Sequence, residues 1–467
     1  MTAVDGSISG LPRHWMNGDG QHGVLPATPE QQDWERAVTA EVRAEVAAEL
    51  ARRIRQRDGT VGAEQAGDRH AEVTALIGRA MERAAAAALR AGRAALDPAA
   101  EERISQAVAD SLLGLGGLQR LLDDPLVENI DVNGCDQVFV RYADGRMTRA
   151  APAAASDAEL AELIRLIAAR AGNEERRFDR ASPSLTVQLP DGSRLFAVMS
   201  VTRRPCVSVR RHRHIHVTLA GLRQLGTVDG PLADFLAAAV RARRNILISG
   251  GTSIGKTTLL RALAAEIPPH ERLVTIEDTY ELGLDADPAR HPDVVAMQAR
   301  EANIEGAGQI SLAELVRWGL RMNPARVIVG EVRGPELIAM LNVMSQGNDG
   351  SMATLHSSSS RGVFTKLAAY AAQSPERLSV EATSLLVAAA IHFVVHLAWS
   401  RDGIRVVSSV REIVDADGPQ VVSNEIWRPG PSGLAVPGAR IRDDTLDDLA
   451  AAGFDPALAL AGEGLGR

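Results

Sequence analysis

The chain has 467 residues, 45% hydrophobic and 24% charged, with a formal net charge of −8. That length suggests about three domains of ordinary globular composition, at roughly 150 residues each. The acidic balance weighs against a protein that grips nucleic acid directly, and two isolated cysteines, Cys135 and Cys206, make no zinc framework or disulfide lattice and fit a reducing compartment.

Residues 1–30 are rich in Gly, Pro and His, lack periodicity and read as disordered; they also lack the long apolar core of a signal peptide. Over 31–114 the segments EVRAEVAAELARRIRQR, EVTALIGRAMERAAAAALRAG and AEERISQAVADSLLGL are Ala-rich and amphipathic. Three such helices joined by short links predict a small bundle, structural or docking in role. Residues 115–211 alternate short strands (IDV, VFVRY, SLTVQ, VSVRR) with NG and DG turns and one helix, DAELAELIRLIAARAG, so they predict a compact α/β domain.

Residues 212–230 read as a linker. His212, His214 and His216 would share a face of a strand there, but with no carboxylate beside them solvation is the better reading than a metal site. Over 231–427 strands (NILIS, RLVTIED, RVIVGE) alternate with helices, which predicts a mostly parallel sheet covered on both faces. The longest apolar stretch, Leu385 to Trp399, falls short of the roughly 20 residues that span a bilayer. The tail, 428–467, is rich in Pro, Gly and Asp and reads as loosely ordered.

The chemistry begins at GGTSIGKTT, Gly250 to Thr258. Gly250, Gly255, Lys256 and Thr257 satisfy GxxxxGK[ST], with an apolar strand leading in and a helix leading out. Such a loop turns backbone N–H groups inward around phosphate oxygens, the lysine reaches the β/γ phosphates, and the threonine hydroxyl takes Mg²⁺. Gly251, Thr252, Ser253, Ile254 and Thr258 complete the cradle through backbone groups, so Ser253 and Ile254 leave the loop workable. Glycine would be easier at 253 if that residue must take a positive φ.

Glu277 and Asp278 end the strand in VTIEDTYEL, and Glu331 ends the strand in VIVGEVRGPE. Strand C-termini are where ligands bind in such sheets. Carboxylates there can orient an attacking water or hold Mg²⁺, directly or through water. His356 follows a Gly-rich turn in SQGNDGSMATLHSSS and is a candidate γ-phosphate sensor.

These segments, in this order, resemble the secretion and type IV pilus traffic ATPases, most of all the CpaF-like, tight-adherence pilus branch. The resemblance runs from about Leu121 to Trp427 and includes DPLVENIDVNG, LPDGSRL, VSVRR, TIEDTYEL, RMNPARVIVGEVRGPE and GNDGSMATLHSSS. It implies a RecA-like ATPase core behind a smaller α/β domain, assembled as a hexameric ring in the cytoplasm. It also implies ATP and Mg²⁺ as cofactors and an inner-membrane platform protein as partner. Lys256 and Thr257 would be the Walker A pair, Glu277 and Asp278 the Asp box, Glu331 the glutamate that polarises the lytic water, and His356 the His-box residue. Arg317 and Arg321, one turn apart in ELVRWGLRMNP, match phosphate-facing arginines, while Arg194 and Arg210 match arginines that reach the nucleotide from the preceding domain. Many relatives carry GGTGSGKTT, with glycine where Ser253 stands and serine where Ile254 stands, and histidine at Asn348. The alternatives are a type IV secretion or conjugation motor and a nucleotide-binding regulator with little turnover.

Overall fold

A computed structural model describes residues 29–56, 66–93, 96–112, 114–171, 178–211, 217–300, 302 and 307–460. Most of the segment read as disordered, the three linker histidines and residues 461–467 lie outside these. The chain divides into two compact units, Met1–Arg213 and His214–Arg467.

In the first unit, helices Pro29–Gln56, Ala66–Arg90 and Pro98–Leu112 form the bundle that the 3.6-residue period predicts. Val38, Val42, Val46, Val73, Leu76, Ile77, Ile104 and Val108 make its core. Six strands follow: β1 Val127–Asn133, β2 Val138–Tyr142, β3 Met147–Ala150, β4 Ser184–Gln188, β5 Arg194–Val198 and β6 Cys206–Arg210. They form one antiparallel sheet in the order β3-β2-β1-β6-β5-β4. Helix Asp157–Ala171 shares a core with this sheet, and Arg43 of the bundle pairs with Glu159 of that helix. The helical segment and the α/β segment thus belong to one unit.

Among its described residues the second unit carries nine strands: β7 Ile246–Gly250, β8 Leu273–Glu277, β9 Val294–Gln298, β10 Arg326–Val332, β11 Met352–His356, β12 Phe393–Trp399, β13 Arg405–Asp417, β14 Gln420–Pro429 and β15 Ala435–Pro437. Their order is β15-β14-β13-β12-β7-β11-β10-β8-β9. From β12 to β9 every pair is parallel, and from β12 to β15 every pair is antiparallel. Alternate side chains feed opposite faces. Ile246 and Ile248 enter one core with helices Gly230–Arg241 and Lys256–Ala264. Leu247, Val274 and Ile276 enter the other with helices Leu312–Gly319, Glu336–Ser345 and Val380–Ala390. This is the α/β core expected, with the phosphate-loop strand β7 in the middle of the sheet.

The tail departs from expectation. After Pro429 the chain adds β15 and helix Asp443–Ala451, and Ala435, Ile441, Leu449 and Phe454 are buried in the same core as Phe235 and Trp427. The Phe235 ring lies 4.4 Å from Trp427 and 5.8 Å from Phe454. A few apolar anchors suffice to order a segment whose composition reads as loop.

Candidate nucleotide site

β7, β11, β10 and β8 are consecutive neighbours, and their C-terminal ends carry the phosphate loop, His356, Glu331 and Asp278. Parallel pairing fixes the alignment: His356 sits directly opposite Gly250, and Ser357 N–H donates to the Gly250 carbonyl. A four-motif reading of the sequence therefore becomes one row of side chains.

The loop's conformation follows from its residues. At Gly250 an added Cβ would lie 2.8 Å from the Leu397 carbonyl oxygen, so only glycine fits. Gly255 takes φ +101° just before helix Lys256–Ala264. Ser253 takes φ +58°, the left-handed region that favours glycine. Ile254 is 2% exposed and enters the core around Leu259 and Leu260. The two departures from a glycine-rich loop thus differ: Ser253 carries local strain, and Ile254 anchors the loop floor.

Lys256 donates from Nζ to the carbonyl of Gly251 at 2.8 Å and to that of Gly250 at 3.4 Å, and lies 3.1 Å from His356 Nδ1. On its other side the imidazole brings Nε2 within 2.5 Å of Glu331 Oε1. Among the described residues no group donates a hydrogen bond to this buried oxygen. Burial lowers the pKa of His356, opposed by Glu331 and reinforced by Lys256 and Arg333. A neutral ring accepts at Nδ1 from the lysine and keeps its proton on Nε2, the nitrogen beside Glu331.

Arg333 extends the row, and the sequence reading did not single it out. Its Nε and Nη2 lie 2.7 and 2.6 Å from Glu331 Oε2, and its Nη1 donates to Asp278 Oδ2 at 3.0 Å. The guanidinium bridges two carboxylates that the sequence presents 53 positions apart. Its place two residues after Glu331 in GEVRG was the available signal.

Glu277 and Asp278, read together from the sequence, have separate roles. Asp278 faces Arg333. Glu277 is 3% exposed, and its Oε2 accepts the backbone N–H groups of Glu281 and Leu282, each at 2.8 Å. Burial pushes its carboxyl up to about 7, against those two N–H groups and Arg261, with Glu281 adding to the rise. Glu277, expected as a catalytic residue, straps the TYEL turn that follows β8 through these two hydrogen bonds.

The arginines are not gathered at the loop within this unit. Helix Leu312–Gly319 shares its core with Val274, Ile276 and Met297 of β8 and β9. β8 stands three strand spacings from β7, about 14 Å. Arg317 is exposed there and pairs with Glu376 at 3.9 Å, and Arg321 is exposed in the next turn. Arg194 and Arg210 face each other across β5 and β6 in the first unit. Asn348 donates to the Pro324 carbonyl at 2.9 Å and ties the Gly-rich turn to the start of β10. That gives the departure at 348 a structural occupation.

Thr257 in the helix after β7, Asp278 just past β8 and Glu331 near the end of β10, its Oε1 without a donor, are hard oxygen donors of the kind that suits Mg²⁺. Among the described residues no helix is long and apolar enough to cross a membrane.

The family model described as "Type II/IV secretion system protein" matches residues 112–420. A Mycobacterium tuberculosis (strain H37Rv) protein named "Putative conjugal transfer protein Rv3659c" is 34% identical over 324 residues, covering 68% of this chain and 89% of that one. The "Type IV secretion system protein VirB11" of Brucella suis biovar 1 is 30% identical over 312 residues, covering 60% and 83%. The crystal structure of the VirB11 ATPase from the Brucella suis type IV secretion system aligns over 63% of this chain and 92% of its own, at 28% identity and TM-score 0.34. The chain belongs to the type II/IV secretion system protein family and is an ATPase of that family.

Proposed function

We propose that the chain is a Mg²⁺-dependent, ring-forming motor that couples ATP hydrolysis to pilus assembly or protein secretion. The observation that carries this reading is the continuous row Lys256–His356–Glu331–Arg333–Asp278 at four adjacent strand ends. Lys256 and the loop N–H groups, from Gly250 to Thr258, bind the triphosphate. Glu331 orients and takes a proton from the attacking water. His356, neutral and held between lysine and glutamate, senses the γ-phosphate. Thr257 and Asp278 hold Mg²⁺, which when bound neutralises charge developing on the phosphates.

Four further arginines, the exposed Arg317 and Arg321 and, in the other unit, Arg194 and Arg210, are proposed to complete the phosphate clamp. They would do so from a neighbouring subunit or on domain closure, in a hexamer. Such a charge can contribute 10³ to 10⁵ in rate in related enzymes, roughly. Work would pass to a membrane platform protein, with the chain held at the cytoplasmic face of the membrane through that partner. No direct nucleic-acid contact is proposed. The names of the relatives favour one second reading within the same chemistry, a type IV secretion or conjugation motor.

The test is phosphate release by purified protein with and without Mg²⁺, beside Lys256→Ala and Glu331→Gln, with sizing in ATP. Steady turnover abolished by both substitutions, with growth to a ring-sized species, is the expected result. Nucleotide binding without turnover in the parent would replace the motor by a nucleotide-binding regulator.

A further inference from the structure

We infer that Arg333 is a positioning residue that competes with the divalent cation for the Glu331 and Asp278 carboxylates, so that metal–nucleotide binding must displace its guanidinium from Asp278. The inference rests on the ATPase reading above and assigns a role to a side chain outside the phosphate loop.

Three observations converge on it. First, the guanidinium has two nitrogens on Glu331 Oε2, at 2.7 and 2.6 Å, and a third on Asp278 Oδ2, at 3.0 Å. It spends most of its hydrogen-bonding fork on the two carboxylates that a cation at this strand edge would need. Second, the backbone beneath it is fixed. Buried Glu336 accepts the backbone N–H of Arg333 and, at 2.9 Å, that of Gly334. Displacement is therefore a side-chain rotation and not a loop movement. Third, the two carboxylates are unequally committed. Glu331 is largely buried and takes two of the nitrogens, whereas Asp278 is 44% exposed and takes one. The link to Asp278 is the cheaper to break, since exposed pairs contribute little.

The consequence is a metal linkage set by one side chain. With Arg333 in place, the cation gains Asp278 only at the expense of the Asp278–Arg333 ion pair. After displacement the arginine keeps Glu331 oriented. Without Arg333, two carboxylates face each other with reduced compensation, and a divalent cation becomes their best counter-ion.

The experiment measures the affinity of a fluorescent ADP analogue for the full chain in EDTA and in excess Mg²⁺, and takes the ratio. Lost positive charge weakens both affinities, so the ratio isolates the metal. Arg333→Ala is expected to raise the Mg²⁺ enhancement about threefold to fivefold over the parent, the upper end for one exposed ion pair. Arg333→Lys should fall between them, and Asp278→Asn added to Arg333→Ala should cancel the gain. An unchanged ratio in Arg333→Ala, in protein whose parent shows Mg²⁺-enhanced binding, would overturn the inference. A parent that binds no nucleotide, or binds it indifferently to Mg²⁺, would instead overturn the metal-dependent ATPase reading beneath it. If Arg333→Ala does not fold, Arg333→Gln removes the charge while keeping an amide donor, and its ratio decides in the same way.

Discussion

Glu277 makes the stability of the nucleotide-binding unit depend on pH in an unusual direction. Its carboxyl is buried and its pKa is pushed from the ordinary 4.5 up to about 7, chiefly by desolvation. Below the unfolded value both states carry the proton, and the buried group is neutral at no cost. Between the two values the unfolded chain ionises while the folded one does not, so stability falls as pH rises. Above about 7 the loss is complete. From 4.5 to about 7 at 1.36 kcal/mol per pH unit the full loss is about 3 kcal/mol. Glu277→Gln keeps one acceptor for the Glu281 and Leu282 N–H groups and removes the titration. Relative to the parent it should therefore gain about 2 kcal/mol between roughly pH 5.5 and roughly pH 8, whatever its constant offset. Urea unfolding of both proteins across that range, without nucleotide, gives the difference curve. Parallel pH profiles would refute the reasoning, because they would mean that Glu277 titrates in the fold as it does in water.

Three further outcomes follow from the same core. His396 is buried, lies 2.9 Å from Ser249 Oγ, and its pKa is pushed down to about 4 by burial and then by Lys256. Its contribution is present above the unfolded value of 6.5 and is lost as pH falls towards about 4, so His396→Gln should remove up to about 3 kcal/mol of acid sensitivity in the same unfolding series. Arg326 is fully buried and holds Glu271 through Nε at 2.9 Å and Nη2 at 2.7 Å. Arg326→Met should lower unfolding stability by about 3 kcal/mol, the lower end for breaking a buried pair, because Arg243 also pairs with Glu271. At the strained loop position, Ser253→Gly should shift stability by less than about 1 kcal/mol, since relief of strain offsets the entropy of the unfolded chain, whereas Ser253→Val should cost about 1–2 kcal/mol and weaken ADP binding.

The sequence made the strand-end motifs legible because each rests on local chemistry. A glycine loop after an apolar run, or a glutamate closing a strand, needs no distant partner to be read. Parallel pairing then did the rest, placing His356 opposite Gly250. What stayed hidden depends on side chains that meet through the sheet. Arg333 acquires meaning only once β10 lies beside β8, and Glu277 is seen as a strap only when the TYEL turn folds back over it. The alternation of apolar residues predicted the bundle and both faces of the sheet. It failed for the tail, where Ile441, Leu449 and Phe454 are too sparse to form a pattern yet reach the Phe235 cluster. The expectation that Arg317 and Arg321 face phosphate rested on resemblance, and within their own unit both are exposed, Arg317 on the helix packed with β8 and β9 and Arg321 in the turn after it.

That packed tail bears on where the molecule can be divided. The recognisable motifs end near Trp427, and a fragment cut there would look complete on paper. It would lay bare one side of Phe235 and Trp427 and remove Arg442, whose backbone N–H and Nε both meet the buried carboxylate of Glu412 at 3.2 Å. Each lost apolar anchor forfeits roughly 1.5–3 kcal/mol. An expression fragment or reporter fusion meant to preserve the nucleotide-binding unit has to retain the polypeptide through Phe454.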